Sequence, residues 1–222
     1  MDIDKILLYG TRLVIIFMCI PVHECAHAWM GVKMGDDTPI HQGRLTLNPI
    51  KHIDPIGALG ILLCGFGWGK PVQVNPLRFK QYRKGMALTA AAGPVSNLLM
   101  ALIATVIYKF IAGAYLHTGN MALFWLTSIF TYFVYINIGL AVFNLIPVAP
   151  LDGQKIFAYF LSDKFNAWIE QYQMYISLAI IGLVTFTHLL DKPMAALEGA
   201  VYDFMDLITF WADPIVKAIF KV

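Results

Sequence analysis

Four long apolar runs alternate with polar, proline-rich stretches along the chain. They extend from about Ile6 to Met30, Gly85 to Ala112, Met121 to Leu145 and Trp168 to Leu190. Each is long enough for a helix to cross about 30 Å of hydrocarbon. The pattern predicts an all-α polytopic membrane protein with four or more transmembrane helices. In the first run, Arg12 sits near the start and can snorkel to the interface. Pro21 is expected to bend the helix, and Gly31 to Asp37 stops it.

The stretch from Thr38 to Pro76 reads differently. Asn48-Pro49, Asp54-Pro55, Lys70-Pro71 and Asn75-Pro76 are turn formers. Between them, Arg44–Leu47 and Val72–Val74 are short extended candidates, β-hairpin-like in pattern. Ile56 to Trp68 is apolar, too short to span, and broken by four glycines. It predicts a re-entrant segment, with an interfacial loop as the alternative. The tail after Pro193 mixes apolar residues with Glu198, Asp203, Asp206 and Asp213. An amphipathic, membrane-associated helix is expected there, and a fifth span is the alternative. The predicted organisation is a core over residues 1–190, with its re-entrant and extended region at about 38–76, and a C-terminal helix over 191–222.

Composition agrees with a membrane protein. Hydrophobic residues make up 59% of the chain and charged residues 14%, with mean hydropathy +0.66. The net charge of +2 comes with no basic run interleaved with aromatics, so nucleic acid is not an expected partner. The three cysteines, Cys19, Cys25 and Cys64, lie in apolar segments and read as packing residues rather than a disulfide framework. Met1 to Gly10 shows no cleavable signal. No feature of the sequence specifies an oligomeric state. Lys33, Arg44, Lys51, Lys70, Arg78, Lys80, Arg83 and Lys84 lie between the first two runs, whereas Gly113 to Asn120 carries no Lys or Arg. Positive-inside therefore places the former in the cytoplasm and the latter outside.

The candidate chemistry sits inside the first run. His23-Glu24-Cys25-Ala26-His27 is an H-E-x-x-H pattern in a helix-like segment. His23 and His27 then stand one turn apart and can bind one Zn²⁺, with Glu24 within reach as a general base. Charged and imidazole groups are costly in hydrocarbon, which favours function over accident. A catalytic zinc site usually takes three protein ligands and leaves one position open. Asp152 follows the prolines that break the third run. It could cap a short helix over 153–161 or supply the third ligand. Alone the cap is favoured; beside H-E-x-x-H, with no better carboxylate at membrane depth, ligation is preferred. Asn97 could be an interhelical hydrogen-bonding group or part of a catalytic cavity. His188 reads as interfacial. By the charge rule, His23, His27 and Asp152 all approach the cytoplasmic side.

Together these residues resemble the site-2 protease family of intramembrane zinc metalloproteases, in its minimal branch without PDZ or CBS domains. The resemblance rests on His23–His27, Gly43–Pro49, His52–Gly57, Trp68–Pro76, Ala92–Asn97 and Asn144–Gly153, and covers roughly Val14 to Leu161. It departs at Cys64, where the family pattern has proline. It implies that His23, His27 and Asp152 bind Zn²⁺, that Glu24 is the catalytic base, and that Asn144 and Asn97 assist at the developing oxyanion. The expected activity is a zinc-dependent endopeptidase acting in or near transmembrane segments of protein or peptide substrates. Its expected location is a multi-pass position in a cell membrane of bacterial inner-membrane type, surrounded by lipid. A membrane zinc transporter or sensor is the alternative; it needs a second polar site along the bundle, which the sequence does not offer. A protein that binds helices without cutting them has no use for Glu24.

Overall fold

The computed structural model describes residues 3–65, 67–187 and 190–221. His188 lies outside the described residues. The elements are α1 (Ile3–Val14), a π-helical turn (Ile15–Cys19), α2 (Ile20–Met34), α3 (Thr38–His41), α4 (Pro55–Cys64), α5 (Tyr82–Thr118), α6 (Met121–Asn144), α7 (Asp152–Ala158), α8 (Asp163–Thr187), α9 (Asp191–Ile208) and α10 (Ala212–Phe220). Short 3-10 turns occupy Pro49–Lys51 and Pro76–Arg78.

The first apolar run is continuous helix with a defect. Pro21 has no N–H to give to the carbonyl one turn back, at Phe17. The Ile20 N–H instead reaches Ile15 O, one residue further than an α-helical bond. The expected bend is thus a π turn just ahead of Pro21. The helix ends at Gly35, whose φ of 113° closes α2 in the left-handed region.

Among the described residues, three helical segments are long and apolar enough to cross a membrane: Leu8–Met34, Tyr82–Thr118 and Met121–Asn144. Helix α5 has 37 residues, about 55 Å at 1.5 Å per residue, well beyond the hydrocarbon thickness. It packs along both α2 and α6. The core cluster draws Ala101 and Ala104 from α5, Val134, Ile138 and Val142 from α6, and Met205 from α9. Small residues on α5 let the helix axes approach closely, as membrane packing requires. Helix α8 covers the fourth expected run, but its first turns carry Asp163, Lys164 and Glu170.

The tail packs on this core. Glu198 reaches Gly139 on α6, and Tyr202 stacks on Tyr135 with ring centroids 5.2 Å apart. Further along, Lys109 of α5 meets Asp206 at 2.9 Å and Asp213 at 3.1 Å, and Val216 presses on Gly113. Following these pairs, α9 and α10 run antiparallel to α6 and parallel to α5.

Between α2 and α5 the chain folds around α4. Asp54 caps this helix by accepting from the Ile56 and Gly57 N–H groups, and Gly65 ends it with φ 78°. The Arg12 guanidinium donates to the carbonyls of Leu62 and Leu63, the C-terminal acceptors of α4. At the base of the excursion, Arg44 is buried and donates to the carbonyls of Lys51 and Lys70. Among the described residues no strand ladder forms; Ile53 and Gly69 make a single antiparallel bridge. The expected extended pieces are used otherwise. The Val72 N–H goes to Glu24 and the Asn75 N–H to Asp36, while Thr46 O faces His52. Side chains have taken backbone groups that a ladder needs.

Candidate metal centre

Helix α2 presents His23 and His27 on one face, and α7 brings Asp152 to meet them. Asp152 is the first residue of α7, whose N-cap is Leu151, so its side chain is not a cap. The start of α7 can press onto the end of α6 because residue 153 is glycine. A Cβ there would strike the carbonyls of Leu145 and Ile146. Ser177 of α8 donates to Ala149 O at 2.6 Å and braces the intervening loop from outside.

Three atoms converge. His23 Nε2 lies 3.0 Å from His27 Nε2, and Asp152 Oδ2 lies 3.2 Å from the first and 3.3 Å from the second. The side chains are only 11–12 % exposed. His27 Nδ1 faces the Thr89 carbonyl at 2.7 Å. A carbonyl only accepts, so Nδ1 carries the hydrogen and Nε2 offers a lone pair. His23 Nδ1 faces Asn97 Oδ1 at 2.6 Å, with the same consequence. Two imidazole lone pairs and a carboxylate oxygen therefore point at one another, and Asp152 Oδ2 is buried without a hydrogen-bond donor. Three acceptors so placed repel unless a cation lies between them.

The donor set fits Zn²⁺. Ligand bonds of about 2.0–2.1 Å in a tetrahedron put neighbouring donors about 3.3 Å apart, close to the separations observed. Nitrogen and oxygen donors with two imidazoles suit zinc, and the His27–carbonyl and His23–amide bonds are the outer contacts that such ligands require. Gly93 of α5 faces the centre. A Cβ there would lie 2.5 Å from His27 Nε2 and 2.6 Å from His23 Nε2. Its hydrogen leaves the space that the converging atoms need.

The other expected residues take distinct places. Glu24 is half-buried, and its Oε2 accepts from the Val72 N–H at 2.9 Å. It remains outside the three-atom cluster. Asn97 is fully buried; both ends of its amide are engaged, Oδ1 with His23 and Nδ2 with Asn137 Oδ1 at 3.0 Å. Asn144 is half-buried and donates to Leu140 O in its own helix at 2.8 Å. The structure thus brings Asn97 to the ligands, while Asn144 bonds along α6. The Thr89 carbonyl and the Val72 N–H are backbone groups that no side-chain pattern announces. Asn137 did have a signal, an amide within an apolar run.

The sequence profile of peptidase family M50 matches residues 11–184. "Putative zinc metalloprotease YwhC" of Bacillus subtilis (strain 168) is 36% identical over 203 residues, covering 87% of this chain and 88% of its own length. "Putative zinc metalloprotease Rip2" of Mycolicibacterium smegmatis is 30% identical over 142 residues, 61% of this chain and 51% of its own. The Rip2 protein of Mycobacterium tuberculosis (strain ATCC 25618 / H37Rv), under the same name, is 30% identical over 138 residues, 60% of this chain and 50% of its own. No solved structure matches. With its apolar helices and its His23–His27–Asp152 cluster, the chain belongs to peptidase family M50, as a membrane protein and zinc metalloendopeptidase.

Proposed function

We propose that this protein is an intramembrane endopeptidase that cuts peptide bonds in or near the transmembrane segments of membrane-protein substrates. The observation that carries the reading is the place of the three converging acceptors. They lie between a membrane-length helix and the short helix that follows another, with Glu24 beside them and outside their set. In this reading the protein is a multi-pass protein of a bacterial-type inner membrane, with α8 as a fourth span and α4 re-entrant. The basic residues between α2 and α5 put the metal centre toward the cytoplasm. Residues 191–222 form a membrane-associated appendage to the core.

His23, His27 and Asp152 would hold the zinc. When bound, the metal would supply a Lewis acid for the scissile carbonyl and for water. Glu24 takes the water proton and later passes it to the leaving amine. The Val72 N–H holds one carboxylate oxygen and leaves the other for this transfer. Asn144 donates to the developing oxyanion after turning from Leu140 O. A substrate helix must unwind first, because its own hydrogen bonds shield each amide. With the Val72 N–H kept on Glu24, the unwound strand can pair with the backbone of the residues that follow it, Gln73 and Val74.

Glu24→Gln tests the chemistry. The variant keeps the three ligands and the side-chain volume but loses the base. Cleavage of purified single-span substrates in detergent should fall about 10²–10⁴-fold, while zinc content stays at the parent level. Wild-type cleavage by Glu24→Gln would remove Glu24 from its role. A parent protein that moves zinc across vesicles without cutting any substrate would turn the reading into a transporter.

A further inference from the structure

We propose that Asn137 of α6, acting through Asn97, sets the ring orientation and tautomer of His23, and so its capacity to hold the metal. The inference rests on the reading of His23 as a ligand and goes beyond it, because Asn137 touches neither metal nor substrate. It is a positioning residue.

The argument starts at a backbone carbonyl. Asn137 Nδ2 donates to Phe133 O at 2.9 Å. That oxygen only accepts, which settles which end of the Asn137 amide is nitrogen. Asn137 Oδ1 is then the atom that faces Asn97, and it accepts from Asn97 Nδ2 at 3.0 Å. Asn97 Oδ1 is left to face His23 Nδ1 at 2.6 Å. Nδ1 must carry the hydrogen, and Nε2 is left with its lone pair toward His27 and Asp152. Reversing one amide reverses the chain. With Asn97 turned, its NH₂ faces Nδ1, the hydrogen moves to Nε2, and that atom can no longer ligate.

An amide turns freely only where its partners do not care which end they meet. Here Asn97 and Asn137 are both 0 % exposed. In a bundle surrounded by hydrocarbon, no water can repair a misdirected donor or acceptor. The relay runs from α6 through α5 to α2. Phe133, four residues before Asn137 on α6, governs an atom of α2 at three removes. His27 has a direct backbone acceptor, whereas His23 depends on two side chains that could each face either way.

The experiment is zinc affinity of the purified full chain, measured by competition with a chelator, together with the visible spectrum of the Co²⁺-substituted protein. Loss of a hydrogen-bonding partner behind a metal ligand costs about 10–100-fold in affinity. Asn137→Ala should weaken zinc binding by that factor and reduce the intensity of the tetrahedral Co²⁺ bands. Asn137→Asp should stay near the parent, short of the about 10-fold loss that marks a missing partner. Burial favours the neutral acid, whose O–H can donate to Phe133 O while its C=O accepts from Asn97 Nδ2. Val134→Ala, a cavity on the same helix, is the packing control and should lower the unfolding midpoint without moving zinc affinity. Parent-like affinity in Asn137→Ala would overturn the proposal. So would equal loss in Asn137→Ala and Val134→Ala, since packing alone would then explain both. If His23→Ala itself binds zinc normally, the ligand reading fails, and that result is distinct from an idle relay.

Discussion

Around Lys109 a single buried cation is met by Asp206, Asp213 and the carbonyl of Thr209. Around His23, His27 and Asp152 three acceptors meet with no donor among them. Both groups lie against α5, in a bundle where unpaired charge is costly. The first is complete with what the chain supplies. The second becomes complete only when a cation arrives. The difference separates a group that joins helices from a group that binds a ligand. The separating feature is whether hydrogen bonds within the protein satisfy every atom; polarity and depth alone do not distinguish them.

The sharpest way to break the comparison is Gly93→Ala. The added methyl occupies the space beside both Nε2 atoms, so bound zinc should fall from about one per chain to near zero by elemental analysis. The Lys109 group should keep the tail docked, with a cysteine crosslink between positions 135 and 202 formed as in the parent. Full zinc content in this variant would mean that the metal sits elsewhere.

Lys109→Met gives the converse and a smaller effect. Lys109 is 8 % exposed, but Asp206 and Asp213 are 57 % and 49 % exposed, so solvent or headgroups screen much of the pair. A loss of about 1–3 kcal/mol is expected, between the values for exposed and fully buried pairs. Thermal unfolding in detergent should show it as a lower midpoint, with zinc content unchanged. If zinc is lost together with the tail, the two groups are not independent.

The smallest effect concerns a carboxylate outside both groups, Asp36, which is buried and satisfied by donors alone. Burial pushes its carboxyl up. The Thr38 hydroxyl, the N–H groups of Asn75 and Thr38, and Arg78 outweigh that and hold it below the ordinary value of 3.8. The unfolded chain therefore takes up this proton first as pH falls. The contribution is fully present above the ordinary value and is lost as pH drops through the lower folded one. Asp36→Asn should remove that part of the acid-side decline in unfolding midpoint. An unchanged acid limb would show that Asp36 does not carry it.

Several features could be read before any coordinates. His23 and His27 follow from a spacing of four in an apolar run, and Asp152 from the need for a third oxygen or nitrogen donor. The helices α2, α5 and α6 follow from their length and hydropathy. Contacts made by backbone atoms could not be read this way. Thr89 O and Val72 N–H belong to residues whose side chains carry no hint of the role. Arg12 was legible as a charge near a helix start, but its partner is the C-terminus of α4, fifty residues on. Arg44–Leu47 and Val72–Val74 have strand-like composition. They form no ladder because Glu24, Asp36, His52 and Arg44 compete for the backbone around them. Asn137 shows the limit from the other side: an amide at membrane depth is visible in the sequence, yet its partner is set by how α5 and α6 pack.

The π turn at Ile15–Cys19 has a consequence for insertion and deletion. A π turn holds one residue more than the α-helical turn it replaces. Losing one residue there would let the helix close into plain α geometry, and because the same turn is then made with one residue fewer, the segments on either side keep their facing. The metal face would remain intact, and Arg12 would keep its side of the helix toward the Leu62 and Leu63 carbonyls. The π turn thus absorbs a loss of one residue between the arginine that closes α4 and the metal face, whereas an insertion with no further bulge to absorb it would turn one about the other by about 100°.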